Sequence, residues 1–239
     1  AQATVAIGKT AQATGNAAVA VGSDAKALAQ NTVAVGIHAK ASNQRGVAVG
    51  TYSEATADNT VAVGGFAKAQ AEKATAVGLL AKASGESSFA GGAAANASGA
   101  NSIAIGGATD GSSADSKSAA KAVGAQAIAV GYKSKAEGVS TIAQGNNATA
   151  TGQNSIAQGI SSVAQQTADI AIGANAAANG TDTPAGSSTG QNAGTAISIG
   201  ANSVATGIAT TALGEAAHAT QNGAVAVGSK ANATNKAAA

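Results

Sequence analysis

Lysine is the residue whose type and spacing suggest a binding chemistry in this chain. Six lysines share one place in a 14-residue period, and small residues flank each of them, so we expect their side chains to face solvent. They are Lys26, Lys40, Lys68, Lys82, Lys121 and Lys135. Two interpretations are open. The column either binds an anionic or extended ligand through many weak contacts, or is a solvated face that opposes lateral aggregation.

Few groups are available for catalysis or metal binding. The chain has two histidines, His38 and His218, and no cysteine, and its acidic residues are scattered singly. It has no Ser-His-Asp set, no phosphate-binding Gly-Lys-Ser/Thr loop of the required spacing and no His-x-x-x-His motif. We therefore predict a protein that is not an enzyme and that needs neither a cofactor nor a metal.

The lysines belong to a repeat that runs through the whole sequence. Val-Ala-Val-Gly, or a close variant, closes each repeat, and the closing glycines recur at the constant spacing of this period. Eight copies end at Gly8 to Gly106, four at Gly131 to Gly173 and three at Gly200 to Gly228. A fixed short period of this kind predicts a solenoid, which presents an extended surface rather than a pocket.

Each repeat has two segments with the period of a β-strand. Counted from the closing glycine as zero, positions 11 and 13 are mostly Val or Ile, and positions 3 and 5 are mostly Ala. Position 7 is often Gly or Asn, as at Gly15 and Asn43, which predicts a second turn with positive φ. The repeat therefore predicts strand, turn, strand, turn, and strands that pair in parallel from coil to coil.

The central residue of the Val-Ala-Val strand carries the prediction of an oligomer. We expect it to face away from the coil, opposite its β-branched neighbours, and its constant small size indicates a second buried face. Copies of the same chain are the simplest cover, in a closed cyclic ring. The predicted interface residues are Ala6, Ala20, Ala34, Ala48, Ala62, Ala76, Ala90, Ala104, Ala129, Ala143, Ala157, Ala171, Ala212 and Ala226.

Two insertions interrupt the period. Eleven extra residues follow Gly106 and thirteen follow Gly180, and we expect loops over about 107–119 and 181–193 that leave the stack intact.

Two further departures from the repeat occur within strands. Gln144 and Gln158 replace Val or Ile in adjacent coils, as a stacked amide ladder or as a polar layer that holds water or an ion near an oligomer axis. Phe89 and Gly91 share one strand, which indicates an exchange of volume.

The segments Asn59–Gly64, Asn101–Gly106 and Asn154–Gly159, each followed by an Ala-x-Ala half, resemble the head repeat of YadA-like trimeric autotransporter adhesins. The resemblance covers nearly the whole chain. It implies an all-β homotrimer of left-handed parallel β-rolls of about fifteen coils, although parallel crossovers in general favour right-handed coils. It also implies display on the outer membrane of a Gram-negative bacterium. We expect residues 1–239 to form a single head domain, a fragment of a longer chain whose coiled-coil stalk and C-terminal membrane anchor are absent here.

Heads of this family bind extracellular matrix and host-cell surfaces. The resemblance therefore implies a virulence-associated cell adhesion domain whose partners are host matrix proteins or cell-surface glycans. The alternative is a structural spacer that projects another adhesive domain from the bacterial surface. The net charge of +2 is too small to indicate a nucleic-acid partner.

Overall fold

The computed structural model describes residues 3–108, 118–180 and 195–234. These residues form thirty short β-strands and no helix. The chain divides into two compact units, Ala1–Gln126 and Ala127–Ala239.

Each unit consists of two parallel sheets, and successive coils contribute one strand to each sheet in turn. In the first unit, the first sheet contains β1 (Val5–Ile7), β3 (Val19–Val21), β5 (Val33–Val35), β7 (Val47–Val49), β9 (Val61–Val63), β11 (Thr75–Val77), β13 (Phe89–Gly91) and β15 (Ile103–Ile105). Its second sheet contains β2 (Gln12–Ala13), β4 (Lys26–Ala27), β6 (Lys40–Ala41), β8 (Glu54–Ala55), β10 (Lys68–Ala69), β12 (Lys82–Ala83), β14 (Asn96–Ala97) and β16 (Lys121–Ala122).

The second unit repeats this arrangement. Its first sheet contains β17 (Ile128–Val130), β19 (Ile142–Gln144), β21 (Ile156–Gln158), β23 (Ile170–Ile172), β25 (Ala196–Ile199), β27 (Thr210–Leu213) and β29 (Val225–Val227). Its second sheet contains β18 (Lys135–Ala136), β20 (Thr149–Ala150), β22 (Val163–Ala164), β24 (Ala177–Ala178), β26 (Val204–Ala205), β28 (His218–Ala219) and β30 (Asn232–Ala233).

Strand pairing follows the sequence period. Val19 pairs with Val33, and Ala20 with Ala34, so each strand aligns with the equivalent strand of the next repeat. The backbone N–H of Gly36 donates to the carbonyl of Val21 at 2.8 Å, one of many such rungs between coils. The predicted parallel β-solenoid of about fifteen coils is therefore confirmed.

The closing glycine is required by the first turn. Gly50 has φ of +133°, a value that residues with a side chain rarely adopt. A Cβ atom at this position would also lie 2.5 Å from the carbonyl oxygen of Gly64 in the next coil. Backbone geometry and the close approach of coils both exclude a side chain, which explains why the repeat always ends in glycine.

The second turn is present, but its positive φ lies two residues later than predicted. Asn31, Asn59 and Asn154, at position 9 of their coils, have φ of 57°, 58° and 57°. Position 7 does not adopt this conformation. Glycine is required at Gly15 by close contact between coils, because a Cβ atom there would lie 1.9 Å from the carbonyl oxygen of Ala29.

The central alanines of the first sheet face the interior of the coil, so the prediction that they face outward is wrong. The two sheets lie so close together that the interior accommodates side chains no larger than Ala, Ser, Thr and Asp. The following alanines are 0% exposed within a single chain: Ala20, Ala34, Ala48, Ala62, Ala76, Ala90, Ala104, Ala129, Ala143, Ala157, Ala171 and Ala212. Ala226 is 3% exposed, and Ala6, in the first coil, is exposed. Side chains enclosed in their own coil cannot form an interface with a partner chain.

Most hydroxyl groups in the interior of the coil donate hydrogen bonds to carbonyl groups of the turns. The Oγ1 of Thr32 donates to the carbonyl of Ala29 at 2.6 Å, and the Oγ of Ser155 donates to the carbonyl of Gly152 at 2.7 Å. Ser198, which replaces a central alanine, lies 2.7 Å from the hydroxyl of Ser203. Most small polar residues inside the coil therefore find a partner within one turn, whereas the buried hydroxyl groups of Ser88 and Ser102 have no hydrogen-bond partner in the described part of the chain.

The coils on either side of each insertion pair directly with each other. Asn96 aligns with Lys121 across the first insertion, and Ile170 aligns with Ile197 across the second. The expectation that the insertions leave the pairing intact is therefore confirmed for the flanking strands. Of the predicted loops, residues 109–117 and 181–193 lie outside the described part of the chain.

Candidate binding surface

The predicted lysine column lies on the outer side of the second sheet. In the first unit Lys26 lies opposite Lys40 and Lys68 lies opposite Lys82. Glu54 stands in register between these two pairs, and Asn96 stands between Lys82 and Lys121. Each of these lysines lies between two alanines that are 0% exposed, so the ammonium groups point away from the coil. The outward orientation predicted from the sequence is confirmed. Lys135 occupies the equivalent place in the second unit, opposite Thr149.

Acidic side chains neutralise part of the column. The Nζ of Lys68 lies 3.4 Å from Oε2 of Glu54, and the Nζ of Lys135 lies 2.7 Å from Oε1 of Glu137. Pairs as exposed as these contribute little to stability. Among the described residues, no acidic group forms an ion pair with the remaining members of the column, Lys26, Lys40, Lys82 and Lys121. These four ammonium groups are available to an anionic partner.

The β-branched residues of the first sheet form a second extended surface, which we call the outer apolar face. They flank the buried central alanines and point to the opposite side of the sheet. Val33 and Val35 are half-buried, as are their equivalents in neighbouring coils. Ile103 and Ile105 are 36% and 43% exposed. Each unit thus presents a row of mostly apolar side chains that its own coils do not cover.

Two substitutions alter the outer apolar face. Gln144 and Gln158 are exposed and lie opposite each other in adjacent coils, as a stacked pair would require. In the first unit, a Cβ atom at Gly91 would lie 2.8 Å from Cε1 of Phe89. The ring of Phe89 therefore occupies the space that a side chain at Gly91 would fill, which confirms the predicted exchange of volume.

A stack of three rings at the first turn was not predicted from the sequence. The ring centroids of His38 and Tyr52 are 4.7 Å apart with planes inclined by 17°. Those of Tyr52 and Phe66 are 5.1 Å apart with planes inclined by 9°. A carboxylate oxygen of Asp24 lies 3.7 Å from Nδ1 of His38. The recurrence of ring residues at one position of successive repeats was the available signal.

A buried aspartate is the second feature that sequence-based reasoning missed. Asp169 is 0% exposed and accepts three backbone hydrogen bonds. Its Oδ2 accepts from the N–H of Gln166 at 2.9 Å and of Gly180 at 3.2 Å, and its Oδ1 accepts from the N–H of Ala196 at 2.8 Å. Gly180 and Ala196 lie on either side of the second insertion. The carboxylate therefore joins both ends of the inserted segment to the coil before it.

Within the described residues, no group of three or more His, Cys, Asp or Glu side chains could hold a metal ion. The same part of the chain contains no helix with the length and apolar character needed to cross a membrane.

Short coils of constant length, glycine turns and alanine interiors define a class of protein, the parallel β-solenoids. The family model of the YadA head domain repeat matches this chain at residues 1–25, 27–53, 55–81, 83–109, 122–148, 136–159, 150–176, 189–214 and 205–231. Because these matches cover most of the sequence, the chain belongs to the YadA head domain family. That family consists of structural, adhesin-type surface domains. No curated protein matches the chain.

Proposed function

We propose that this chain is the head of a bacterial adhesin that attaches the cell to host extracellular matrix proteins or cell-surface glycans. The observation that carries the proposal is the lysine column, whose exposed ammonium groups repeat in register along a rigid sheet. Each lysine contributes weakly, but repetition raises the effective concentration for an extended partner. The site is a surface that binds and performs no chemistry.

The head acts as a homotrimer of left-handed β-rolls on the outer membrane of a Gram-negative bacterium. The outer apolar face supports this assembly, because an extended and mostly apolar surface of a protein indicates an interface with another protein. The family resemblance favours three chains arranged in parallel. The residues at the interface are the β-branched members of the first sheet, such as Val33 and Val61, instead of the alanines between them.

A charge-neutralised variant tests the proposal. All six lysines of the column are changed to glutamine, which keeps most of the side-chain length and removes the charge. Because these side chains face solvent, the circular dichroism spectrum should not change. Adhesion of the purified head to matrix proteins and to sulfated glycosaminoglycans should fall at least tenfold. Adhesion of the parent should weaken as salt rises, since exposed charges are screened over ~8–10 Å at physiological ionic strength.

Lysines outside the column provide the matched control. Lys73 and Lys230 are exposed and lie at turn positions, and their change to glutamine should leave adhesion unaltered. If the parent adheres and the six-lysine variant adheres equally at every salt concentration, the column only promotes solubility. If the parent itself adheres to no host surface, the alternative function of a structural spacer is correct.

A further inference from the structure

The stacked rings of His38, Tyr52 and Phe66 form a row along the first turn of three consecutive coils in the first unit. They are not part of the lysine column. Tyr52 is 44% exposed and Phe66 is 45% exposed, and the side chain of His38 is 42% exposed. The whole chain contains only two tyrosines, two phenylalanines and two histidines. Half of its rings of these types are therefore concentrated in one exposed row.

The backbone at this row is unfavourable for large side chains. His38, Tyr52 and Phe66 have φ of 57°, 56° and 58°. Residues other than Gly, Asn and Asp lose about 1–2 kcal/mol in this conformation. Equivalent positions of the second unit carry asparagine, which suits this φ, three times, and Lys, Ser or Ala elsewhere, but no ring: Lys133, Asn147, Ser161, Asn175, Asn202, Ala216 and Lys230. Ring stacking contributes about 0.5–1.5 kcal/mol per pair, and the two pairs therefore offset only part of the strain of three residues, without explaining why nearly half of each ring remains exposed.

Other exposed apolar side chains enlarge the row into a patch. Ile37 is 50% exposed and Leu79 is 45% exposed, and both belong to the same turn in coils at either end of the row. We call these five residues, Ile37, His38, Tyr52, Phe66 and Leu79, the ring patch. Contiguous exposed apolar surface of this kind marks sites of interaction with proteins or ligands.

Charged side chains border the ring patch in two places: a carboxylate oxygen of Asp24 lies 3.7 Å from Nδ1 of His38, and lysines of the column lie along the second sheet. Lys40 lies two residues after His38, and Lys82 lies three residues after Leu79, so the two ammonium groups border opposite ends of the patch. Between them, Glu54 and Lys68 neutralise each other at 3.4 Å. Lys40 and Lys82 are three coils apart, or ~14 Å at ~4.8 Å per coil. An extended peptide covers that distance in about four residues.

We propose that the ring patch binds an extended polypeptide segment of a partner protein, one with apolar side chains between two acidic residues. The inference rests on the proposed adhesive function and assigns it a protein ligand. Charge complementarity supports the acidic ends, because Lys40 and Lys82 are free of ion pairs among the described residues. Ring geometry favours a peptide over a sugar. The near-parallel stack covers both faces of Tyr52 and one face each of His38 and Phe66, which reduces the ring faces left for a sugar, and presents ring edges, which carry partial positive charge.

The test uses two variants of the full chain and one control. In the first variant, Tyr52→Asn and Phe66→Asn, each new residue suits the positive φ, so the coil is retained. In the second, Lys40→Gln and Lys82→Gln remove the flanking charges. The control is Ile160→Asn, which removes an apolar side chain that is 61% exposed at a turn of the second unit. The probes are a phage-displayed library of random peptides, the peptides selected from it and a panel of sulfated glycosaminoglycans.

Peptides selected on the parent should carry aromatic or aliphatic residues between acidic ones. Their affinity should fall at least tenfold for both variants and should be unchanged for the control. Selected peptides that bind both variants as tightly as the parent would overturn the inference. So would a loss confined to glycosaminoglycan binding, which would assign the patch to a sugar.

Adhesion of the parent to matrix proteins, measured in parallel, separates the two proposals. A parent that does not adhere refutes the proposed function, whereas adhesion unaffected by Tyr52→Asn and Phe66→Asn refutes only the ring patch.

Discussion

A carboxylate inside a coil lined with alanine needs several hydrogen-bond donors to be tolerated. Asp169 obtains them from three backbone N–H groups, and two of these belong to residues beside the second insertion. In the preceding coil the same position is Ser155, which bonds only to its own turn. The aspartate therefore acts where the chain departs from its period, because it supplies acceptors to backbone groups that the insertion separates from their usual partners.

Asp169→Asn should weaken the attachment of the inserted segment. An amide has one acceptor oxygen where the carboxylate has two, so at least one buried N–H would lose its partner. Charge-assisted hydrogen bonds are also stronger than neutral ones. We expect a loss of about 1–3 kcal/mol in stability and faster hydrogen exchange at the amides of Gly180 and Ala196. Ser155→Ala, which removes one local hydrogen bond, is the control and should leave exchange at those two amides unchanged. Equal exchange in Asp169→Asn and the parent would contradict the role given to the carboxylate.

The turn is the element that the repeat specifies most strictly. Each closing glycine combines a strongly positive φ, +132° at Gly22 and Gly36, with an approach to the next coil that leaves no room for a Cβ atom. The neighbouring position is free, and it carries Ile37, Thr51, Gly65 and Leu79 in four successive coils. The turn therefore places a position that accepts only glycine directly before a position that accepts side chains of different sizes.

Gly50→Ala should destabilise the head by about 3 kcal/mol or more, since strained backbone and overlap with the carbonyl of Gly64 add to each other. Gly65→Ala is the matched control. Its Cβ atom would lie 3.3 Å from the flexible Cδ1 of Leu79 and at ordinary contact distance, 3.9 Å, from the carbonyl oxygen of Thr51, so we expect little change. Thermal unfolding followed by circular dichroism distinguishes the two substitutions. If both unfold at the same temperature, the account of the closing glycine is incorrect.

Much of the coil could be predicted from the sequence, because period, turn and strand each have a local cause. Glycine spacing determines the pairing, and alternation identifies the strands. Which face of each strand points into the coil could not be predicted in this way. Alternation shows that Val33 and Ala34 point to opposite sides, but which side is internal depends on the distance between the sheets. Position 9 was missed for a related reason, since residues such as Asn31 and Arg45 share a positive φ without sharing a residue type.

Of the candidate sites, the lysine column could be predicted from the sequence, whereas the ring patch and Asp169 could not. The lysine column was predictable because one residue type recurs at one position, and its outward direction follows from the alanines beside it. The ring patch combines a histidine, a tyrosine, a phenylalanine and aliphatic residues, so no single residue type reveals it. Asp169 acts through backbone groups that are distant in sequence, and only the folded chain brings them together.

At the scale of the whole molecule, the outer apolar face determines the expected assembly. Val33→Lys together with Val61→Lys would place charges on this face in every chain of a trimer, and burying an ion without a partner costs several kcal/mol. The variant should therefore dissociate into folded monomers. Sedimentation should show the smaller species, and circular dichroism should retain the β-sheet signal.

Ala34→Lys together with Ala62→Lys is the contrasting variant. Both alanines are 0% exposed within the coil, so the substitutions should unfold the coils instead of separating intact chains. A parent head that sediments as a folded monomer would refute the trimer. Valine variants that remain associated would locate the interface elsewhere on the surface.

The similarity of the coils also affects how the chain finds its native pairing. A strand displaced by one whole repeat would meet the same glycine turn and the same alanine interior, so ladder hydrogen bonds alone do not distinguish correct neighbours from incorrect ones. Features that occur once in the described residues remove this ambiguity. His38, Tyr52 and Phe66 stack across three coils, Gln144 lies opposite Gln158 in the next coil, and Asp169 joins Gly180 to Ala196. Because each of these contacts can form only between particular coils, they favour a single alignment of an otherwise repetitive chain.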